Sequence, residues 1–174
     1  AEAVRTAAGA ILSARCLARQ DRKAVAIIGA GVLGHAHLKM VGTLPGIEQI
    51  WIASRDPAHA HALASHDSRA RALDSVQQAV SRADIVCLCT SSAEPILRKE
   101  WVKDGTHISS VGYRPPGGEL PRDLIESSHL FVESIVAFSP PPVGCAELQG
   151  IDSEFGTELG ELLLDENLGR RDET

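Results

Sequence analysis

Three glycines, Gly29, Gly31 and Gly34, follow an apolar run with the spacing Gly-x-Gly-x-x-Gly. In a strand-turn-helix unit the first glycine permits a tight turn, the second lets the backbone approach a pyrophosphate, and the third lets the helix pack closely on the strand. The free N–H groups at the start of such a helix, with the positive end of its dipole, bind phosphate. The spacing therefore predicts a dinucleotide-binding loop, with Val32 and Leu33 also holding the pyrophosphate.

A second candidate position bears on which dinucleotide binds. An NAD site usually has an acidic residue about twenty residues after the last glycine, which binds the ribose hydroxyls. Ser54 stands there, followed by Arg55, and a hydroxyl with a guanidinium suits a 2′-phosphate. We expect NADP(H) to be preferred and NAD(H) to be possible. The alternative is that Arg55 is a solvated arginine and that Asp56 binds the ribose.

Polar and small residues follow two later apolar runs. Thr90 and Ser91 come after one run, and Val111 and Gly112 end the next. Ligands of doubly wound sheets lie across the carboxyl ends of the strands, at the point where the strand order reverses. These four residues are therefore predicted to line the nicotinamide side of the crevice, on the basis of strand-end position.

Strand-like and helix-like segments alternate along the chain and must position these residues. Helices are predicted over residues 3–19, 32–44, 57–65, 74–80, 121–127 and 156–164, and strands over residues 23–28, 47–53, 70–73, 84–90, 106–112 and 129–134. Asp56, followed by proline, and Asp74 are expected to cap their helices. The prediction is an α/β fold of Rossmann type, a doubly wound and mainly parallel sheet of six strands with helices on both faces.

Length and charge limit the possible functions. A chain of 174 residues with 44% hydrophobic residues can build one domain with a real core, but it is too short for a usual two-domain dehydrogenase. The net charge of −6 gives no general attraction to nucleic acid or anionic membranes. No apolar run is long enough to span a membrane, so a cytoplasmic protein is expected.

The cysteines and histidines do not predict a metal site. Cys87 and Cys89 alternate within an apolar strand and are interpreted as small buried residues. The histidine pairs on predicted helices are two residues apart and point to different faces. His107, inside a strand, is interpreted as a histidine of the core.

Several separated motifs together resemble the ornithine cyclodeaminase/mu-crystallin family. The resemblance covers nearly the whole chain, in order, and rests on the segments Arg5-Thr6-Ala7-Ala8, Ile28-Gly29-Ala30-Gly31-Val32 with His37, Ser54-Arg55, Glu94-Pro95-Ile96-Leu97, Gly105-Thr106-His107-Ile108, Val111-Gly112, Glu119-Leu120 and Glu158-Leu159-Gly160-Glu161. It implies an enzyme that uses NAD(H) or NADP(H) to transfer hydride to or from a small cyclic imino acid or an amino acid, and a homodimeric parent protein.

The resemblance also implies that nucleotide binding and substrate binding belong to different domains of the parent protein. We expect the family's substrate and dimerisation domain to lie outside this sequence, with residues 1–20 as a leading helix, 21–164 as the nucleotide-binding domain and 165–174 as a frayed tail. Of the family's substrate contacts only Arg5 corresponds to a residue here, and it would pair with the substrate carboxylate. By itself the chain is expected to bind nucleotide without turnover.

One departure from the family pattern bears on the reaction. Ornithine cyclodeaminases have an aspartate shortly after the Val-Gly pair, whereas residues 113–118 here contain no carboxylate. Imine reduction or amino-acid oxidation, as in ketimine and pyrroline-carboxylate reductases, is therefore favoured over ornithine deamination. Ornithine cyclodeaminase activity, and a non-catalytic ligand-binding protein like a crystallin, stay open as alternatives.

Overall fold

A five-stranded parallel sheet forms the centre of the computed structural model, which describes residues 1–112 and 114–170. The strands are β1 (Ala24–Ile28), β2 (Gln49–Ala53), β3 (Ala70–Ala72), β4 (Ile85–Leu88) and β5 (His107–Ser110), and the helices are α1 (Glu2–Leu17), α2 (Val32–Val41), α3 (Pro57–Ala64), α4 (Val76–Val80), α5 (Arg122–Glu126) and α6 (Leu159–Leu164). The strand order is β3-β2-β1-β4-β5. The order reverses between β1 and β4, so the ligand crevice of such a sheet lies at their carboxyl ends.

The apolar runs of β1 and β4 form this sheet because both of their faces are covered. Every residue of both strands is buried. Val25 and Ile27 belong to the core cluster beneath α1, α2 and α3, while Ala26 and Ile28 belong to the cluster beneath α4 and α5. A continuous apolar strand is typical of a parallel sheet that has helices on both faces, and the Rossmann-type α/β prediction is confirmed.

The sixth predicted strand does not join this sheet, and that part of the prediction is wrong. β6 (Leu130–Val132) pairs in parallel with β7 (Gly156–Glu158) in a separate two-stranded sheet. The helix predicted to begin at Gly156 therefore begins three residues later, at Leu159. The Glu158 carboxylate accepts a hydrogen bond from Ile135 N at 2.6 Å, which ties the end of β7 to the segment after β6.

The structure also differs from the sequence prediction at the start of α4 and near the C-terminus. Ser75, and not Asp74, is the N-cap of α4, because its side chain accepts a hydrogen bond from Gln78 N. The sequence predicts a frayed tail from residue 165, but Glu166–Leu168 form a 3₁₀ turn. Arg170 then donates hydrogen bonds to Leu17 O at 2.7 Å and to a second carbonyl at 2.8 Å. Residues 171–174, the rest of the predicted tail, lie outside the described residues.

Within the described part of the chain, no helix combines the length and the apolar character that a membrane span requires.

Candidate dinucleotide site

The turn between β1 and α2 is tight because of Gly29. Its φ is +107°, a conformation that favours glycine. A Cβ added there would lie 2.6 Å from Cys89 O and 3.2 Å from a methyl carbon of Thr90. The first glycine of the motif therefore lets the turn pass directly over the end of β4.

The other two glycines of the motif have different surroundings. A Cβ on Gly34 would overlap the carbonyl oxygen of Gly29, so this position holds α2 close to the turn. A Cβ on Gly31 would meet nothing within 4 Å. The backbone at Gly31 therefore faces open space, which a ligand can occupy.

The first turn of α2 fits a diphosphate. It contains no acidic residue, and among the described residues no side chain caps this helix. Val32, directly after the N-cap residue Gly31, is 77% exposed. Helix N–H groups without an internal partner, together with the helix dipole, attract anions. The loop and helix thus form an open cradle that could hold a diphosphate, with Leu33 half-buried beside it.

At the carboxyl end of β2 one side chain caps a helix and the two before it face solvent. Asp56 caps α3, accepting a hydrogen bond from Ala58 N at 2.9 Å, with Pro57 at the first helical position. The predicted cap is therefore confirmed. Ser54 is half-exposed and Arg55 is exposed, so a hydroxyl and a guanidinium are presented where a dinucleotide's ribose would lie.

The ends of β4 and β5 meet across the reversal point. Val111 N donates a hydrogen bond to Leu88 O at 3.1 Å, which continues the pairing of the two strands beyond their ends. Thr90 and Gly112 are joined through hydrogen bonds to one carboxylate, that of Glu119. Ser91 is exposed. The four residues predicted for the nicotinamide side therefore lie on two neighbouring strand ends.

Glu119 is the important residue that the residue-by-residue reading missed. It is completely buried, with 0% of its surface exposed. It lies in a loop rich in glycine and proline, where a single glutamate is expected to be exposed to solvent. The family resemblance included Glu119-Leu120 but gave this glutamate no role. A Cβ on Gly112 would lie 2.5 Å from Oε1 of Glu119 and would overlap Thr90 O, so Gly112 makes room for the carboxylate.

Arg5, the predicted substrate contact, lies on the exposed side of α1. That helix packs against α2 and β5. In the described part of the chain the Arg5 side chain forms no hydrogen bond or ion pair with the crevice residues. Its role as a substrate ligand stays a prediction.

Two histidines and two cysteines are held neutral near the sheet. Burial lowers the pKa of His37, although its hydrogen bond to Leu33 O and the charge of Glu119 act in the opposite direction. Packing beneath α1, where Nε2 lies 3.1 Å from Ser13 Oγ, and the charges of two nearby arginines lower the pKa of His107 to about 4. Burial raises the pKa of Cys87 to about 12 and also raises that of Cys89. The interpretation of Cys87, Cys89 and His107 as parts of the core, rather than reactive groups, is consistent with these environments.

The family model of the ornithine cyclodeaminase/mu-crystallin family matches residues 1–174. The chain belongs to this family. Ketimine reductase mu-crystallin of Mus musculus is 34% identical to it over 163 residues, which are 92% of this chain and 51% of that protein.

Solved structures with the same fold contain nicotinamide dinucleotides. The Δ(1)-pyrroline-2-carboxylate reductase of Thermococcus litoralis, in complex with NADH and L-proline, is similar with a TM-score of 0.88 and 28% identity, over 99% of this chain and 56% of that one. The iminosuccinate reductase of Paracoccus denitrificans, in complex with NAD+, has a TM-score of 0.84 and 25% identity, over 98% and 55%. The chain thus spans about half the length of each of these relatives.

Proposed function

We propose that this chain is the NADP(H)-binding domain of a reductase that transfers hydride to or from a small cyclic imino acid or an amino acid. The observation that carries the proposal is the cradle at Gly29–Gly34, where Gly31 faces open space beside an uncapped helix N-terminus. Family membership supports the reaction class, because the similar proteins named above are reductases, two of them in complex with NADH or NAD+.

In this proposal separate groups of residues bind the pyrophosphate, the nicotinamide half and the substrate. The backbone of the glycine loop and the first turn of α2 bind the pyrophosphate. Thr90, Ser91, Val111 and Gly112 orient the nicotinamide half at the ends of β4 and β5. The cofactor supplies the hydride chemistry when bound. Arg5 would bind the substrate carboxylate, together with residues of the remainder of the parent protein.

The proposed preference for NADP(H) rests on the end of β2. The Asp56 carboxylate is engaged by the first turn of α3, which favours its role as a cap over the alternative role as a ribose ligand. The exposed Arg55 follows Ser54, and a guanidinium binds phosphate through a bidentate fork. NAD(H) stays possible, since similar structures contain NADH and NAD+.

The wider assignments belong to the same proposal. Residues 1–20 form a leading helix, residues 21–164 the nucleotide-binding domain, and the substrate and dimerisation domain belongs to the remainder of a homodimeric, cytoplasmic parent protein. Residues 113–118 contain no carboxylate, which favours reduction over ornithine deamination. We expect no role for nucleic acid, membrane or metal.

Titration of the chain with NADPH and with NADH tests the cofactor assignment. Arg55→Ala should weaken NADPH binding about tenfold, since a hydrogen bond to a charged group contributes about 1.5–3 kcal/mol, and should leave NADH binding unchanged. Arg15→Ala, which removes an exposed arginine of α1, is the control and should change neither affinity. An Arg55→Ala variant with unaltered NADPH affinity would show that the assignment is wrong.

A further inference from the structure

The carboxylate of Glu119 accepts four hydrogen bonds although it is fully buried. Oε1 accepts from Thr90 N at 2.7 Å and from Thr90 Oγ1 at 2.6 Å. Oε2 accepts from Ser110 Oγ at 2.9 Å and from Gly112 N at 2.8 Å. A buried charge is stable only when it is paired or well hydrogen-bonded, and here four donors surround the two oxygens.

The four donors come from the ends of two neighbouring strands. Thr90 follows β4, while Ser110 ends β5 and Gly112 follows it. The parallel pairing of β4 with β5 runs to Leu88 and Ser110, and one last backbone hydrogen bond joins Val111 N to Leu88 O. Beyond that hydrogen bond the Glu119 carboxylate bridges Thr90 and Gly112, so the separation of these two segments depends on a side chain of the loop that follows β5.

We propose that Glu119 is a positioning residue that sets the nicotinamide end of the crevice. The inference rests on the proposed function and adds a residue to it. Glu119 does not touch a ligand, because it is buried. It acts through Thr90 and Gly112, whose N–H groups it turns toward itself and whose backbone it fixes. The adenine end, formed by the glycine loop and the end of β2, has no hydrogen bond to Glu119 in the described residues.

The substitution Glu119→Gln separates this role from simple space filling. Glutamine has nearly the same shape, but only one of its two terminal groups accepts hydrogen bonds. Whichever way the amide is turned, its NH₂ group faces a backbone N–H, either of Thr90 or of Gly112. One strand end therefore loses its anchor while the volume of the side chain is retained.

The experiment compares the binding of NADPH with the binding of 2′-phospho-ADP-ribose by calorimetric titration. For Glu119→Gln we expect NADPH affinity to fall about tenfold or more, because hydrogen bonds to a charged group are lost. The affinity for 2′-phospho-ADP-ribose, which lacks the nicotinamide, should stay within about twofold. Glu94→Gln, at an exposed glutamate near the same strand end, should change neither. A purely structural role would lower both affinities together.

Ser110→Ala provides a second, milder test if the glutamine variant does not fold. It removes one donor to Oε2 and keeps the carboxylate, so NADPH affinity should fall by about threefold. The affinity for 2′-phospho-ADP-ribose should not change. Equal effects on both ligands, or no effect of either variant on NADPH, would overturn the inference. A wild-type chain that binds neither ligand would instead overturn the proposed function, and the inference with it.

Discussion

The substitution Gly34→Ala tests whether α2 is held against the β1–α2 turn as the structure describes. The added Cβ would overlap the carbonyl oxygen of Gly29 and would also approach a methyl carbon of Leu63 at 3.4 Å. The first neighbour is backbone, which cannot rotate away. Overpacking costs up to about 3 kcal/mol, and alanine regains at most about 1 kcal/mol of helix propensity. We expect a net destabilisation of about 2 kcal/mol.

Gly9→Ala is the matched control for this prediction. Gly9 also lies inside a helix, α1, but a Cβ there would meet nothing within 4 Å. That variant should therefore be more stable than the wild type, by up to about 1 kcal/mol. Urea unfolding followed by far-ultraviolet circular dichroism measures both free energies. If Gly34→Ala were as stable as Gly9→Ala, the close approach of α2 to the turn would be refuted.

The remaining predictions concern a histidine and two helix starts. The pKa of His107 is depressed to about 4 in the folded chain. As pH falls below about 6.5, this histidine therefore takes up a proton in the unfolded chain but not in the folded one. The free energy of unfolding should fall by up to about 2 kcal/mol between pH 7 and pH 5. Urea unfolding of His107→Gln should show a smaller loss over that range, and an equal loss would refute the assignment. By thermal unfolding, Asp56→Ala should cost about 1 kcal/mol, whereas Asp74→Ala should have almost no effect because Ser75 caps α4; equal effects would contradict these cap assignments.

The central sheet and the glycine loop could be predicted because their signals are local. The uninterrupted apolar run of β1 by itself predicts a strand that is buried on both faces, and the glycine motif follows it directly. Asp56 before Pro57 likewise predicts a helix start from adjacent residues. Where two capping residues stand side by side, as at Asp74 and Ser75, the sequence does not decide between them.

The missed features depend on pairings between distant residues. β6 and β7 are three residues each, and their pairing joins Leu130 to Gly156. Segments so short carry little periodicity, so the sequence alone predicts β6 as a sixth strand of the central sheet. Glu119 acquires its role only when the chain folds back on Thr90, 29 residues earlier. No spacing rule predicts a contact of that kind.

Titration of wild-type chain and of Gly31→Ala with NADPH tests the central claim most directly. The backbone at Gly31 is extended, with φ −85° and ψ −160°, and its Cβ would point into open space, so the free energy of unfolding should fall only by the cost of alanine at an N-cap, about 1 kcal/mol. The new methyl group would occupy the space proposed for the diphosphate. The account predicts that the wild type binds NADPH and that Gly31→Ala binds at least about tenfold more weakly, a loss of about 1.4 kcal/mol. Equal binding by the two proteins, or no binding by the wild type, would contradict it.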